Sequence, residues 1–574
     1  MKRRTFVGGI LGSAAAASLP VRIGAAAPAG AWEALRRRVG NRLIPIHSPL
    51  VEAARSAGAG GNALFRQLKN PYYLGDDPSL TQTLGWTDAW TSEPSLMAVA
   101  AESAADVAAA VEVAREHRLK LVVKGGGHSY FGNSNAANSL LIWTRRMDRV
   151  ELHDTFLPQG APISHGGDPA VSIGAGAIWG RVYDTVAVNN GRYVQGGGCL
   201  TVGVAGFVQG GGFGSLSKQF GTGASNLLEA EVVTADGHVR VANPFRNPNL
   251  FYALRGGGGG TFGIVTRLTL RTDPLPSTIG AVLFSVTANS DRAWPALVER
   301  MMQFYSASLF NPHWGEQIRF SPGRRLSVTM VSHDLDKPQM EALWNPLFSW
   351  IKQQTSDYSF RPEPAILAVP GPHFWDPAFL RSIPGLVLQD NRPGASADNI
   401  FWASNLGETA QVLHAYQSAW IPADLLRPER RQSLVEALIA ASDEWSVTLH
   451  TNKGLAGGST EALARTAETA MNPEVLGAFA LLICAAEGPP AYPGIPGHEP
   501  DIPKAREQAA AVSRAMAPIR QLVPNAGAYV SEADYFQKDW KRAYWGDHYE
   551  RLAVIKRKYD PLNLFHGHQT VGLA

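Results

Sequence analysis

The chain has 574 residues, of which 45% are hydrophobic and 18% are charged, and its formal net charge at pH 7 is +3. This length predicts two or more domains, and the composition excludes an intrinsically disordered protein. Because the basic residues are scattered along the chain, they give no sign of the basic patch that nucleic-acid-binding proteins carry, and no nucleic-acid partner is expected.

The N-terminus has the pattern of an export signal. Arg3 and Arg4 precede an apolar, alanine-rich run from Gly8 to Leu19, which is shorter than the about 20 residues that a spanning helix needs. We therefore predict that residues 1–29 are a twin-arginine signal peptide. The expected partner is the bacterial twin-arginine translocon, and the expected location is periplasmic or secreted, without a membrane anchor. An unprocessed basic tail is the alternative.

Regular elements are predicted after a polar, irregular stretch over residues 31–91. Ser103 is a good N-cap for a helix over Ala104–Arg118, and the β-branched run Leu121–Val123 predicts a strand. The other predicted elements are a strand at Val171–Ile173, a helix at Trp179–Asn189, a hairpin over Glu229–Ala242, a strand at Ile264–Arg271 and a helix at Pro428–Trp445. The composition changes near Asp273, which indicates the start of a second domain.

Three glycine-rich segments, at residues 124–132, 196–214 and 255–263, lie beside predicted strands. Glycine lets backbone amides come close to a phosphate and adopts positive φ without steric cost. One such segment is explained by a tight turn, but three in one region favour a dinucleotide ligand. None has the spacing of a Rossmann fingerprint or a Walker loop, so another nucleotide-binding fold is indicated.

Two residues within these segments are candidates for chemistry. His128 stands in a Gly-Gly-Gly-His-Ser run, and Cys199 stands in a Gly-Gly-Gly-Cys-Leu-Thr run. A turn histidine facing solvent and a small buried cysteine are the ordinary explanations. The only other cysteine is Cys484, which excludes a disulfide framework and leaves a single Cys199–Cys484 disulfide as an alternative. Composition and spacing do not decide between these possibilities, and no metal site is indicated.

Taken in chain order, these motifs resemble the berberine-bridge-enzyme-like family of FAD-linked oxidases, within the vanillyl-alcohol-oxidase superfamily. The resemblance rests on four segments: Val123–Ser129, Gly198–Val204, Leu250–Thr266 and Lys558–Phe565. It implies an α+β fold with a two-part PCMH-type FAD-binding domain. It also implies a substrate domain, in which helices cover an antiparallel sheet. A C-terminal segment is expected to return to the FAD domain.

The resemblance also implies domain limits and a cofactor. The expected parts are an N-terminal segment (30–91), the FAD-binding domain (92–273), the substrate domain (274–525) and the C-terminal segment (526–574). FAD is expected to be covalently bound, through His128 to the flavin 8α-methyl group and through Cys199 to flavin C6. The implied cofactor-binding residues are Lys124, Gly125, Gly126, Gly127, His128, Ser129, Cys199, Thr201, Val202, Gly203, Gly206, Gly211, Gly212, Gly214, Gly263, Ile264, Val265, Asn563 and Phe565.

The chain departs from the family pattern at the segment that commonly supplies the catalytic base. Ser531 and Glu532 replace the more usual Asn-Tyr pair, so Glu532 and Tyr529 are both candidates. A carboxylate base would need a pKa raised by burial, whereas the tyrosine would act as a phenolate. Both residues are also compatible with an ordinary half-buried strand. Phe207 stands where many members have a histidine, and Val202 is a small residue at the position taken to control oxygen access.

The function implied by the resemblance is an oxidase closest to the secreted alcohol-oxidase-like members. It would take a hydride from a CH–OH carbon of an alcohol or carbohydrate to flavin N5 and reduce O2 to H2O2. The alternatives are a dehydrogenase that uses a quinone or protein acceptor, oxidative tailoring of a bulky natural product, a flavin-carrying binding protein without turnover, and a glycan-binding protein without flavin.

Overall fold

The structure, a computed structural model, describes residues 30–572 and has the α+β architecture that the sequence predicts. Two smaller sheets are built mainly from the first half of the chain, and a large sheet is built mainly from the second half. The predicted signal segment, residues 1–29, lies outside the described residues. No helix within residues 30–572 combines the length and apolarity that crossing a bilayer requires.

The two smaller sheets lie next to each other in sequence and carry the glycine-rich loops. The four-stranded sheet has the spatial order Leu43–Pro45, Met97–Ala100, Ser139–Trp143 and Lys120–Lys124, with its last three strands parallel. The five-stranded sheet is antiparallel, with the spatial order Val239–Ala242, Leu227–Val233, Ile264–Arg271, Asp168–Gly174 and Val150–Phe156.

The large sheet has ten strands and is antiparallel apart from one parallel pair. Its spatial order is Tyr358–Phe360, Thr278–Ala288, Arg325–His333, Trp314–Ser321, Val447–His450, Ala478–Gly488, Gln411–Pro422, Thr83–Trp86 and Trp90–Thr91, and Ala365–Pro370 also pairs with Thr278–Ala288. Two further two-stranded pairs are Arg192–Tyr193 with Asp273–Pro274, and Val387–Gln389 with Ile400–Trp402.

Helices cover the sheets or connect their strands. Their bounds are Ala31–Val39, Pro49–Arg55, Gly61–Gln67, Pro71–Asp76, Ala104–His117, Trp179–Tyr183, Val204–Gly210, Ser217–Phe220, Pro248–Leu254, Ala293–Phe304, Lys337–Lys352, Pro377–Arg381, Pro428–Glu444, Thr460–Ala467, Glu474–Gly477, Ile502–Leu522, Trp540–Trp545 and His548–Tyr559. Four of them cover one face of the large sheet, at Ala293–Phe304, Lys337–Lys352, Pro428–Glu444 and Ile502–Leu522.

Strand Thr278–Ala288 shows that one face of the large sheet packs in the core while the other face lines a cavity. Val282 and Phe284 pack beneath the covering helices, whereas Ala281 and Leu283, at alternate positions, line a large cavity on the other face. Successive side chains of a strand point to opposite faces, so one strand serves both the core and the cavity. The open face of the large sheet is therefore one wall of the candidate site.

Most predicted elements are confirmed, and one stretch is not as predicted. Ser103 caps the helix Ala104–His117 and accepts a hydrogen bond from the backbone N–H of Asp106. The stretch predicted to be irregular, residues 31–91, instead contains four helices and three strands. Its strand Thr83–Trp86 pairs with Gln411–Pro422, which lies more than 300 residues away in the sequence. Because this pairing depends on a distant segment, local hydrophobic periodicity does not predict the strand.

The C-terminal segment returns to the smaller sheets, as the resemblance implies, and a buried ion pair holds it there. The Lys556 ammonium donates to Asp560 and to the carbonyl oxygens of Thr261 and Phe565, at 2.7, 2.7 and 2.5 Å. The Asp560 carboxylate also accepts from the backbone N–H groups of Leu564 and Phe565. The side chains of the pair are only 3% and 0% exposed, so each charge depends on the other.

The substitution Lys556→Met is expected to lower the free energy of unfolding by about 3–5 kcal/mol, because Asp560 would remain as a buried carboxylate without its counter-ion. The shift in the thermal unfolding midpoint measures the effect. Arg514→Met is the control, since Arg514 and Glu444 form an exposed ion pair worth about 0–1 kcal/mol. Equal shifts for the two variants would contradict a structural role for the buried pair.

Candidate active site

A cavity of about 830 Å³ lies between the glycine-rich loops, the open face of the large sheet and the C-terminal segment. A volume of this size is in the range of sites for cofactors and large ligands. The loops contribute mostly backbone, while the large sheet and the C-terminal segment contribute side chains. One wall of the cavity therefore consists mainly of backbone amides and carbonyls. The other wall consists of side chains, some of which are charged.

The backbone wall forms because two glycine-rich loops touch without side chains between them. A Cβ atom added to Gly126 would lie 2.5 Å from the backbone nitrogen of Gly203, a distance that only glycine avoids. At Gly198 and Gly206 an added Cβ would meet nothing within 4 Å, because these residues face the open cavity. Such a cradle of bare backbone is what the approach of a dinucleotide requires.

One buried polar atom in the cavity wall supports the fit of a cofactor. The Gln209 side chain is only 4% exposed, and within residues 30–572 its Oε1 atom has no hydrogen-bond partner. Its amide nitrogen donates to the Ala205 carbonyl, so the oxygen alone is left for a ligand. A buried acceptor without a partner costs free energy unless a donor satisfies it. The backbone cradle and this acceptor fit the predicted FAD.

The two predicted covalent anchors, distant in sequence, meet through one hydroxyl group. The Thr201 Oγ1 atom lies 3.4 Å from His128 Nε2 and 3.5 Å from Cys199 Sγ. Burial lowers the pKa of His128 to about 4, and burial raises the pKa of the Cys199 thiol. At neutral pH the imidazole is therefore a neutral nucleophile and the sulfur carries its proton. Both cysteines are free, so the alternative of a Cys199–Cys484 disulfide is wrong.

Most of the predicted site residues line the cavity, and five do not. Those that line it are Gly125, Gly126, Gly127, His128, Ser129, Cys199, Val202, Gly203, Gly206, Gly214, Gly263, Ile264, Val265, Phe565, Tyr529 and Glu532. Lys124, Thr201, Gly211, Gly212 and Asn563 are not among its lining residues, although Thr201 lines a small adjoining pocket with His128 and Cys199.

Packing accounts for three of the five residues that lie outside the lining. The Lys124 ammonium donates at 2.8 Å to the carbonyl oxygens of residues 77, 78 and 80, which uses all of its donors to hold that loop. Gly211 has φ 119° and packs against Met471, and Gly212 has φ 75° and packs against Phe207. These contacts give the three residues a role in shaping the loops, and their contact with the cofactor stays a prediction.

Tyr529 faces the cavity, but its surroundings oppose the predicted phenolate. Its hydroxyl oxygen accepts a hydrogen bond of 3.1 Å from the backbone N–H of Gly212. Burial, with a contribution from the charge of Glu532, raises the pKa of Tyr529 to about 12. The phenol is therefore protonated at neutral pH, and Tyr529 can position a ligand more readily than it can accept a proton.

Glu532 belongs to a cluster of charges on the open face of the large sheet. Its carboxylate is ion-paired with the Lys453 ammonium, and both side chains line the cavity. A second carboxylate, Glu316, accepts hydrogen bonds from Ser215 Oγ at 2.6 Å and Asn452 Nδ2 at 3.2 Å. Burial raises the pKa of Glu316, while the charge of Lys453 opposes this rise. One ammonium thus balances two carboxylates.

Sequence reasoning missed Lys453 and Glu316 because both lie in the region that the family pattern matches only loosely. Glu316 has φ 86°, a conformation that side chains other than glycine rarely adopt, and its carbonyl accepts two hydrogen bonds from Thr451. Backbone strain of this kind is found at functional sites, where the surrounding contacts hold it in place. No local sequence signal distinguishes this glutamate from any other glutamate in a strand.

Lys453→Met is expected to lower the free energy of unfolding by about 1.5–3 kcal/mol, because two cavity carboxylates would lose their counter-ion. Burial raises the pKa of Glu316, and without the opposing ammonium it rises further above its unfolded value, so the folded state binds more protons near neutral pH. Stability is then lost as the pH rises through the raised pKa, and the destabilisation is expected to be greater at pH 8 than at pH 5.

Thermal midpoints of the two proteins, compared across this pH range, measure the effect. The control is Lys352→Met, since Lys352 and Glu363 form an exposed pair at 4.0 Å. A destabilisation by Lys453→Met that does not change with pH would contradict the charge balance described here.

Two families match the chain, over ranges that include three of the four motif segments. The family described as FAD binding domain matches residues 95–243, and the family described as berberine and berberine-like matches residues 528–572. The chain is 31% identical over 488 residues to the FAD-linked oxidoreductase easE of Trichophyton verrucosum, which covers 83% of this chain and 74% of that protein. It is 31% identical over 511 residues to easE of Aspergillus fumigatus, with 83% and 71% covered.

Solved structures share the fold at lower identity. The VAO-type flavoprotein MtVAO615 from Myceliophthora thermophila C1 has a TM-score of 0.74 at 22% identity, covering 96% of both chains. A chitooligosaccharide oxidase has a TM-score of 0.64 at 19% identity, covering 89% of this chain and 99% of that one. Glucooligosaccharide oxidase from Acremonium strictum, described with a 6-S-cysteinyl, 8α-N1-histidyl FAD, has a TM-score of 0.62 at 20% identity, covering 84% and 92%. The predicted PCMH-type fold is confirmed.

The predicted bacterial origin, and with it the periplasmic location, is contradicted. The two easE relatives are fungal proteins, and so is penH of Penicillium thymicola, which is 46% identical over 181 residues. A pair of arginines before an alanine-rich run is a short pattern, so it also occurs in basic N-termini that are not twin-arginine signals.

Proposed function

Because the chain belongs to the berberine-bridge-enzyme-like family of FAD-linked oxidoreductases, we propose that it is an FAD-dependent oxidase acting on a CH–OH carbon. The observation that carries the proposal is the meeting of His128 and Cys199 at the Thr201 hydroxyl, on the wall of the cavity that Glu532 also lines. The anchors and the acid–base cluster thus share one cavity. Bound FAD supplies the hydride acceptor and the site at which O2 is reduced to H2O2.

The chain holds this cofactor with its backbone and with two covalent bonds. In the proposal, the glycine cradle receives the pyrophosphate, His128 bonds to the 8α-methyl group and Cys199 bonds to C6. The pair of anchors described for glucooligosaccharide oxidase supports this assignment. Two bonds fix the ring without a clamp of side chains, so the cavity in front of it stays open for a large substrate.

The acid–base cluster is assigned the proton chemistry. Glu532 accepts the hydroxyl proton of the substrate, and Lys453 holds the carboxylate in position and stabilises its charge before the transfer. Tyr529, protonated at neutral pH, donates a hydrogen bond to the substrate oxygen. Val202, half-buried in the cavity wall, leaves space beside the anchors for O2, which favours the oxidase over a dehydrogenase that uses a quinone or a protein acceptor.

The apolar part of the cavity favours a bulky substrate, in line with oxidative tailoring of a natural product. Leu367 is 56% exposed and Leu283 is 36% exposed, yet both line the cavity, together with Phe374 and Trp402. Exposed apolar side chains that face a cavity indicate a ligand with apolar surface. We therefore propose two candidate substrate classes. One is bulky aromatic or polycyclic alcohols, and the other is carbohydrates, which the oxidase neighbours suggest.

The double attachment is tested by acid precipitation of the purified protein. We expect flavin to stay in the pellet for the wild type and for each of His128→Ala and Cys199→Ala, because one covalent bond is enough to retain it. The double variant is expected to release its FAD into the supernatant. Cys484→Ala is the matched control and should behave as the wild type, since Cys484 lies in the core of the large sheet. Free FAD from the wild type would refute covalent attachment.

The oxidase reaction is tested by oxygen consumption with simple alcohols, sugars, oligosaccharides and polycyclic alcohols. The expected result is peroxide formed in equal amount to the substrate oxidised. Glu532→Gln is expected to slow anaerobic flavin reduction by a factor of about 10² to 10⁴, the usual contribution of a positioned base. Flavin reduction by a substrate without peroxide formation in air would instead favour the dehydrogenase.

A further inference from the structure

A small pocket adjoins the large cavity behind the covalent anchors. Five residues line both spaces, so the small pocket opens into the large one at the anchors: His128, Tyr130, Cys199, Asn405 and Glu408. The remaining walls of the small pocket come from Thr201, from residues 71, 82 and 83, and from residues 401, 409 and 411. The proposed chemistry of substrate oxidation assigns no role to this pocket or to Glu408.

Cys199 cannot form a thioether in its resting state without losing a proton. The thiolate, not the thiol, is the nucleophile of cysteine chemistry. Burial raises the pKa of Cys199, and the nearby carboxylate of Glu408 adds to the rise, so the sulfur is protonated at neutral pH. The Thr201 hydroxyl, at 3.5 Å from the sulfur, can donate or accept a hydrogen bond but is not a base at this pH. Formation of the bond therefore requires a proton acceptor beside the sulfur.

The residues around the small pocket leave one candidate for this acceptor. Among its described lining residues, those that can titrate are His128, Tyr130, Cys199 and Glu408. Burial raises the pKa of Tyr130 well above its ordinary value, so it stays a phenol, and burial lowers the pKa of His128 to about 4. His128 is also the second anchor and is a weak base. Glu408 is the only carboxylate of the set.

The surroundings of Glu408 make it a stronger base than an ordinary carboxylate. Desolvation by the surrounding protein raises the pKa of Glu408, and the charges of Glu487 and Glu532 contribute to the rise, while Lys453 opposes it. Glu408 is exposed to solvent and lines both the open cavity and the small pocket, so water reaches its side chain. Glu408 can therefore accept a proton near neutral pH and pass it to solvent.

We propose that Glu408 is the base that deprotonates Cys199 when the thioether to the flavin forms. The proposal rests on the bicovalent attachment that is part of the proposed function. Glu408 takes the Sγ proton, and the Cys199 sulfur gives an electron pair to C6 of the oxidised ring to form the S–C bond. The ring thereby gains two electrons and loses its C6 hydrogen as a proton. Dioxygen, the co-reactant of the proposed oxidase, takes the two electrons and two protons as H2O2, which restores the oxidised ring.

The test compares Glu408→Gln with the wild type as full-length proteins purified with their cofactor. Peptide mapping by mass spectrometry measures the fraction of flavin bonded to the His128 peptide and to the Cys199 peptide as a function of time at pH 7. We expect the His128 bond to form normally in Glu408→Gln and the Cys199 bond to form more slowly, by a factor on the order of 100. Raising the pH should restore part of the rate, because hydroxide can replace the missing base.

Glu487→Gln is the matched control, because it removes a neighbouring carboxylate that does not line the small pocket. It should form the His128 bond at the wild-type rate and slow the Cys199 bond far less than Glu408→Gln does, because it lowers the pKa of Glu408 but leaves the base in place. Equal rates of Cys199 bond formation in Glu408→Gln and the wild type would overturn the inference. Should Glu408→Gln yield no flavin-loaded protein, Glu408→Asp decides: slower formation of the Cys199 bond relative to the His128 bond supports the inference, and equal slowing of both overturns it. A wild type without the Cys199 bond refutes the bicovalent proposal itself.

Discussion

The contact of bare backbone between Gly126 and Gly203 is the constraint on which the site depends. A Cβ atom added to Gly126 would lie 2.5 Å from the backbone nitrogen of Gly203. No residue other than glycine therefore fits at position 126 without moving the second loop. The same contact brings the loop that carries His128 next to the loop that carries Thr201 and Cys199. The cradle for the cofactor and the meeting of the two anchors are therefore one feature, produced by close approach of two loops that lack side chains.

The large sheet supplies what the glycine loops lack, namely charge. Its open face and the C-terminal segment bring Glu316, Lys453 and Glu532 together, and one ammonium serves two carboxylates. Enclosed charges of this kind are costly unless they are paired and hydrogen-bonded. The hydrogen bonds from Ser215 and Asn452 to Glu316 fulfil that condition, and Ser215 directly follows the second glycine-rich segment. The two walls of the cavity are thus tied to each other at the charged cluster.

The C-terminal segment closes the arrangement from a third side. The buried pair of Lys556 and Asp560 fastens the last helix to the Thr261 carbonyl, within the third glycine-rich segment. This attachment places Tyr529 and Glu532, which precede the helix, against the cavity. Because the charges of the pair satisfy each other and several backbone groups, the segment has one position and not a range of positions.

The sequence by itself determined the features that depend on local backbone conformation: the capped helix after Ser103, the strands before the glycine loops, and the loops that carry His128 and Cys199. Only the tertiary structure decided where side chains point. It turned Lys124 away from the cavity, paired Glu532 with Lys453, and placed Glu408 on the wall of the small pocket that Cys199 also lines. The physical reason is that the conformation of a loop depends mainly on its own residues, such as its glycines. The residue that pairs with a charged side chain, in contrast, comes from a distant segment of the chain, and no local sequence pattern identifies it.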